Sequence, residues 1–281
     1  MGAVAVMFPE LDPVALETGR VAFAVMALGA VALIAASLVV ARRLAGTLAP
    51  WAWGGVTFVL SQLLRAPFLA VVTGAVVGGS QPAAMSPAWI VLVTAASLSA
   101  GIFEEGSRAL ILATAGRRIR CTEPGVAYGL GHGATEALLI VLAPAVAAIV
   151  LVGGILDGSL TANVPAETAA SLDQAATLFA TQTVGISLIA IVERALAMAL
   201  HVILALLVMR IVVRGGGRNA IARRLALPIA IHASVNLVAV IGAQLFGVLV
   251  AEGLVALAVA NAARIYWFLP KDPASREFAE T

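Results

Sequence analysis

Apolar runs of about 20 residues recur along the whole of this 281-residue chain, and that is the length an α-helix needs to cross the hydrocarbon of a bilayer. Hydrocarbon offers no partner to a backbone N–H or C=O, so such runs must satisfy their own hydrogen bonds, as helices do. They lie near 21–41, 51–77, 88–115, 125–153, 179–213, 225–247 and 248–269. The pattern predicts an all-α, polytopic transmembrane helical bundle of about seven spans. Composition agrees: 62% of residues are hydrophobic and 11% charged, against about 25% charged in soluble domains. Several runs exceed about 20 residues, which calls for tilt or a kink, with Pro67 and Pro144 as candidate kink points. Only a turn at Gly247 separates the last two runs, so a single re-entrant segment is the alternative there.

Charge orients the bundle. Arg42 and Arg43, then Arg117, Arg118 and Arg120, then Arg214, Arg218, Arg223 and Arg224, then Lys271 and Arg276 fall in alternate connections. Those ends are expected on the cytoplasmic side. The connection 78–87 is uncharged and 154–177 is acidic, with Asp157, Glu167 and Asp173, so these are expected outside, giving N-out and C-in. Glu10, Asp12 and Glu17 stand where a cleavable signal peptide would be basic, so insertion is expected to rely on the first span. The chain reads as one integral membrane domain over 1–281, multi-pass, with its motif-bearing core at about 88–247, in the cytoplasmic membrane of a prokaryote. No internal repeat or low-complexity tract is visible, and the Gly-rich stretch 214–218 reads as a flexible turn rather than a phosphate loop. A net charge of +2 excludes a nucleic-acid footprint, leaving the lipid bilayer and a membrane-embedded or membrane-associated protein or peptide as partners. The single cysteine, Cys121, forms no internal disulfide or thiolate cluster, so any metal must take nitrogen and oxygen ligands.

The informative residues are those a span should not contain. An ionisable group near the bilayer centre costs about 2.5–3.5 kcal/mol even on the mildest scales, so it faces protein, pairs, and usually serves a function. Glu104, Glu105 and Arg108 lie in the third run, His132 and Glu136 in the fourth, Glu193, Arg194 and His201 in the fifth, His232 and Asn236 in the sixth, and Arg65 in the second. Glu104 and Arg108, His132 and Glu136, and His232 and Asn236 are each four apart and share a helix face. Counting inward from the arginine-rich ends sets Glu104, Glu105, His132, His201 and His232 at a common depth of roughly 10–18 Å. Independent structural hydrogen bonds need not share a depth. The plainer reading makes Arg108 and Arg65 counter-ions to the two glutamates, Glu193 and Arg194 a structural pair, and Asn236 helix-to-helix glue.

A carboxylate beside an imidazole can activate water, with one Glu taking its proton and a histidine orienting it or serving the leaving group. His232 and Asn236, on one face, could donate to a developing oxyanion. Alternatively His132, His201 and His232 could hold zinc, with water in the fourth position and Glu104 or Glu105 as base. No His-Glu-x-x-His signature is present, and no two histidines share a helix at chelating spacing, so the metal-free route is preferred and zinc stays open.

Glu104-Glu105-Gly106-Ser107-Arg108, Tyr128-Gly-Leu-Gly-His132 with Glu136, Glu193-Arg194 followed by His201, and His232-Ala-Ser-Val-Asn236 resemble the YhfC family of intramembrane proteases. That family is related to the CAAX-protease/bacteriocin-processing group and to PrsW. The resemblance covers about residues 100–240 and rests on the ordered combination. It implies a helical-bundle endopeptidase in which Glu104 or Glu105 activates water with His132, while His232 and Asn236 stabilise the oxyanion. Arg108, Glu136, Glu193, Arg194 and His201 would support them. The chain departs from CAAX proteases in placing two residues, not three, between the Glu pair and Arg, and Tyr rather than Phe ahead of the first histidine, which argues against cleavage of prenylated tails. A transporter with a Glu/His midplane site is the competing class, and a non-catalytic binding or immunity protein the third. No paired halves with matching interrupted helices favour transport.

Overall fold

The computed structural model describes residues 12–77, 82–114, 119–160 and 165–269. The loop charges of Glu10, Arg117, Arg118, Lys271 and Arg276, and the side chain of Glu167, lie outside what is described. Among the described residues eight helices follow in chain order: α1 Pro13–Ala45, α2 Ala49–Val77, α3 Pro87–Thr114, α4 Thr122–Leu156, α5 Ala166–Ala180, α6 Val184–Arg214, α7 Arg218–Phe246 and α8 Val248–Phe268. All but α5 are long and apolar enough to cross a membrane, which makes seven candidate spans among the described residues. No strand occurs among the described residues.

One expected connection is partly helical. The connection 154–177 contains α5, whose 15 residues rise only about 22 Å and so fall short of a bilayer core of about 30 Å. The fifth span therefore starts at Val184 instead of near 179, after the polar stretch Thr181, Gln182 and Thr183. At the α4 terminus the Asp157 carboxylate accepts the Ser159 N–H at 2.8 Å, and this backbone bond holds its pKa below the ordinary value.

Helix α4 is 35 residues long and changes winding midway, with a π-turn at Leu138–Leu142. Ala143 N–H reaches back five residues to the Leu138 carbonyl. Pro144 follows directly, where it has no N–H to offer the ladder. Gly247, with φ of 80°, ends α7 and begins α8, so the last two runs are separate helices packed on each other rather than one re-entrant segment.

Backbone contacts divide the chain, read from its sequence as a single domain, into two compact units: Met1–Ile34 with Ala137–Arg194, and Ala35–Glu136 with Ala195–Thr281. The boundaries fall inside α1, α4 and α6. In the first unit Leu16, Val152, Ile155 and Ala176 form the core, with Phe179 stacked edge-on to Phe23 at 5.5 Å. In the second, α2 packs on α3, α3 on α7 and α7 on α8, while Leu200 to Val212 of α6 supply residues to both apolar clusters.

The packing of α3 is inverted relative to a water-soluble helix. Its buried stripe carries Ser97, Glu104, Glu105, Ser107 and Arg108, and its exposed side carries Ile90, Val91, Leu98, Ile102 and Leu110. Lipid rewards an apolar exterior, so the polar stripe must find partners inside, and this sets up the site.

Candidate active site

Every residue of the site described next belongs to the second unit. Its geometry starts from small residues. In α4, Gly129 and Gly133, one turn apart, face Val202 and Met198 of α6, whereas Gly131 faces the Trp51 backbone of α2. A Cβ at Gly131 would overlap the Trp51 carbonyl, and one at Gly54 of α2 would overlap the Tyr128 carbonyl. The alternating glycines thus let α4 approach two helices at once, as small residues do in membrane bundles. His132, between Gly131 and Gly133, is carried into the resulting seam and is fully buried.

Four helices meet there. Glu104 Oε2 of α3 lies 2.9 Å from His132 Nε2 of α4 and 3.8 Å from His232 Nε2 of α7. Glu105, its neighbour, is turned elsewhere: Oε1 is 2.9 Å from His232 Nδ1 and Oε2 accepts from Arg108 Nη1 at 2.6 Å. Glu104 and Arg108 were paired by their four-residue spacing, but the guanidinium takes Glu105, three residues away. Arg108 Nη2 then reaches His201 Nδ1 of α6 at 3.2 Å, and His201 Nε2 lies 2.6 Å from Glu136 Oε2 of α4. The imidazole rings follow one another, His132 tilted against His201 at 4.4 Å and His201 edge-on to His232 at 5.4 Å.

This chain of contacts assigns protons. A guanidinium only donates, so His201 Nδ1 must accept, and the ring proton sits on Nε2, facing Glu136. His232 donates Nδ1–H to Glu105, so its Nε2 can donate to a substrate only when the ring carries a second proton. Three buried polar atoms at this site, Ser107 Oγ, Arg108 Nε and His132 Nδ1, have no hydrogen-bond partner among the described residues. Unsatisfied groups of this kind are tolerated mostly where function requires them.

Other candidates fall differently. Arg65 donates to Ser99 Oγ, the Ala96 carbonyl and Gln62 Oε1, and touches Glu104 only through Gln62, whose Nε2 lies 3.3 Å from Glu104 Oε1. Gln62 is a site residue that sequence reading missed; its only signal was a position three residues before Arg65 on an apolar helix. Tyr128 is spent on Thr57, with their hydroxyls 2.5 Å apart. Asn236 is half-buried one turn beyond His232 and takes no part in the hydrogen-bonded cluster among the described residues. Glu193 and Arg194 belong to the first unit and pair with each other at 2.5 Å.

One oxygen of Glu104 and one nitrogen each of His132 and His201 lie within 4.8 Å of one another, close enough to hold a metal ion. This set differs from the three histidines that the sequence offered for a zinc; His232 keeps Nδ1 on Glu105 and sets its Nε2 3.8 Å from Glu104 Oε2. The donors are the two nitrogens and one oxygen of many catalytic zinc sites. Charge fits as well: Glu105 faces Arg108 directly, Glu136 reaches it through His201, and Glu104 reaches Arg65 through Gln62, so with neutral imidazoles three carboxylates stand against two guanidiniums, a surplus negative charge that favours a cation. On His201 a metal would take Nδ1 in place of the 3.2 Å contact with Arg108, leaving Nε2–H on the Glu136 carboxylate, the usual support of a metal-binding imidazole.

Compared with known proteins, the chain matches the family described as YhfC intramembrane metalloprotease over residues 25–259. No curated protein and no solved structure matches it.

Proposed function

The chain belongs to the YhfC intramembrane metalloprotease family, and from that premise we propose that it is an endopeptidase that hydrolyses a peptide bond of a membrane-embedded or membrane-associated polypeptide. The observation that carries this reading is the convergence of Glu104, His132 and His201 donor atoms within 4.8 Å, inside a set of helices that otherwise face lipid. These three residues would hold a divalent metal of the zinc class, which supplies Lewis acidity and makes a water acidic near neutral pH.

The remaining steps belong to the side chains. Glu104 has two oxygens in different surroundings: Oε2 lies toward His132 and His232, and Oε1 has only a long contact to Gln62, which leaves it free to accept a proton from water. Glu105, with 0% of its side chain exposed and bound to both Arg108 and His232, positions its neighbours and does not meet substrate. Glu136 holds His201 in the Nε2–H tautomer, which keeps the Nδ1 lone pair, now facing Arg108, for the metal. His232 and Asn236 lie on one face of α7, where Asn236, and His232 once its ring carries a second proton, can donate to the carbonyl oxygen of the scissile bond as charge develops on it.

Metal analysis of purified protein tests the reading, together with cleavage of a membrane-borne reporter peptide. The expected result is about one tightly held ion per chain, lost in Glu104→Ala, His132→Ala and His201→Ala, with cleavage abolished by chelation and restored by zinc. Chelation-resistant cleavage without stoichiometric metal would return the chemistry to the glutamate–histidine route preferred from the sequence. Ion flux in liposomes without cleavage would make the chain a transporter.

A further inference from the structure

Gln62 of α2 meets Glu104, yet it has no step of its own in the proposed chemistry. Its neighbours leave its amide one orientation. Arg65 Nη1 lies 3.2 Å from Gln62 Oε1, and a guanidinium only donates, so the oxygen of the amide must face Arg65. Ser61 gives its hydroxyl proton to the Phe58 carbonyl at 2.6 Å, so toward Gln62 it accepts, and Gln62 Nε2 lies 3.2 Å from it. The other N–H of that nitrogen is left for Glu104 Oε1, 3.3 Å away. Turning the amide over would set donor against donor at Arg65 and acceptor against acceptor at Glu104.

Arg65 is held in turn by α3. Its Nε donates to Ser99 Oγ at 3.2 Å and its Nη2 to the Ala96 carbonyl at 2.8 Å, the latter eight residues or about 12 Å along the helix from Glu104. The path leaves α3 at Ala96 and Ser99, crosses to α2 through Arg65 and Gln62, and returns to α3 at Glu104. Glu105 shows what a direct contact would do, since Arg108 takes its Oε2 at 2.6 Å and withdraws it from other chemistry. A guanidinium placed directly on Glu104 could occupy both oxygens. The interposed amide takes one acceptor position on Oε1 and leaves Oε2 beside His132.

We propose that Gln62 is a positioning residue for Glu104: its N–H, oriented by Arg65, tethers Oε1 to α2 and thereby keeps Oε2 aimed at the donor set with His132 and His201. This rests on reading that set as a metal site. Carboxylates that ligate metals are themselves held by hydrogen bonds from surrounding side chains, and loss of such a partner typically weakens binding about 10–100-fold.

Zinc affinity of the purified full-length chain, measured by competition with a chromogenic chelator, tests the proposal together with kcat and KM on the membrane-borne reporter peptide. Gln62→Met keeps the length of the side chain and loses the N–H, so affinity should fall about 10–100-fold and kcat should fall with KM unchanged. Gln62→Glu still accepts from Arg65 but turns an oxygen toward Glu104, so its kcat should fall as well. A role confined to packing or to partnering Arg65 predicts wild-type kcat in Gln62→Glu, and that result would overturn the proposal. Unchanged affinity in Gln62→Met, where wild type holds an ion, would overturn it and leave the metal site standing. Wild-type cleavage without an ion would remove the metal site instead, and a kcat kept at the wild-type level in Gln62→Met would then overturn the positioning role. A chain with neither ion nor cleavage would overturn both.

Discussion

At the scale of single residues, adjacency hides a division of labour. Glu104 and Glu105 follow each other in the chain, but about 100° of helix rotation separates their directions. One therefore faces His132 and the other Arg108. Replacing Glu105 by Gln removes the partner of a guanidinium with 0% side-chain exposure, and breaking a buried pair in this way costs about 3–5 kcal/mol. Glu105→Gln should accordingly show a large drop in melting temperature in detergent. Glu104→Gln keeps a polar group against Gln62 and His132, so its melting temperature should stay near wild type while cleavage falls by about 10²–10⁴. Equal melting temperatures for the two variants would remove the distinction drawn between them.

At the scale of elements, α4 is the piece on which the site depends. Its glycines set the distance to α2 and α6, and its one π-turn begins directly after the site residues His132 and Glu136. Gly131→Ala should cost about 1–3 kcal/mol, because the added methyl meets the rigid Trp51 backbone instead of a side chain that can rotate away. Gly106→Ala on α3 is the control: its added methyl meets nothing within 4 Å, and helix propensity alone should stabilise it by about 0.5–1 kcal/mol. Thermal unfolding of both variants in one detergent reads the difference. A neutral Gly131→Ala would mean that α4 does not rely on close approach to α2.

At the scale of the whole molecule, the arginine-rich connections serve the helix ends as well as orientation. Arg120 donates to the Leu112 and Ala113 carbonyls at the end of α3, Arg42 to the Gly46 carbonyl after α1, and Arg224 to the Gly215 carbonyl after α6. Cations at helix C-termini complement the carbonyl ends of those helices. The same alternation predicts sidedness by the excess of arginine in cytoplasmic loops. Reporters fused after Arg120 and after Arg224 should therefore behave as cytoplasmic, and one inserted at Asn163, outside the described residues, as external. The reverse pattern would invert the protein.

The sequence by itself determined the solvent, the number of spans and the set of residues too polar to face lipid, because run length and buried charge are local properties that need no partner. It also carried the family, through the order of Glu-Glu, His, His and His-Asn groups along the chain. It missed α5, whose mixed polar and apolar residues look like loop when a bilayer-length run is the signal sought. The pairings were decided only in three dimensions. Gln62 meets Glu104 across 42 residues and Glu136 meets His201 across 65, and no spacing rule reaches between helices. Which histidines stand beside Glu104 depends on how closely α4 approaches its neighbours, and that distance is set by packed backbone atoms at Gly129, Gly131 and Gly133.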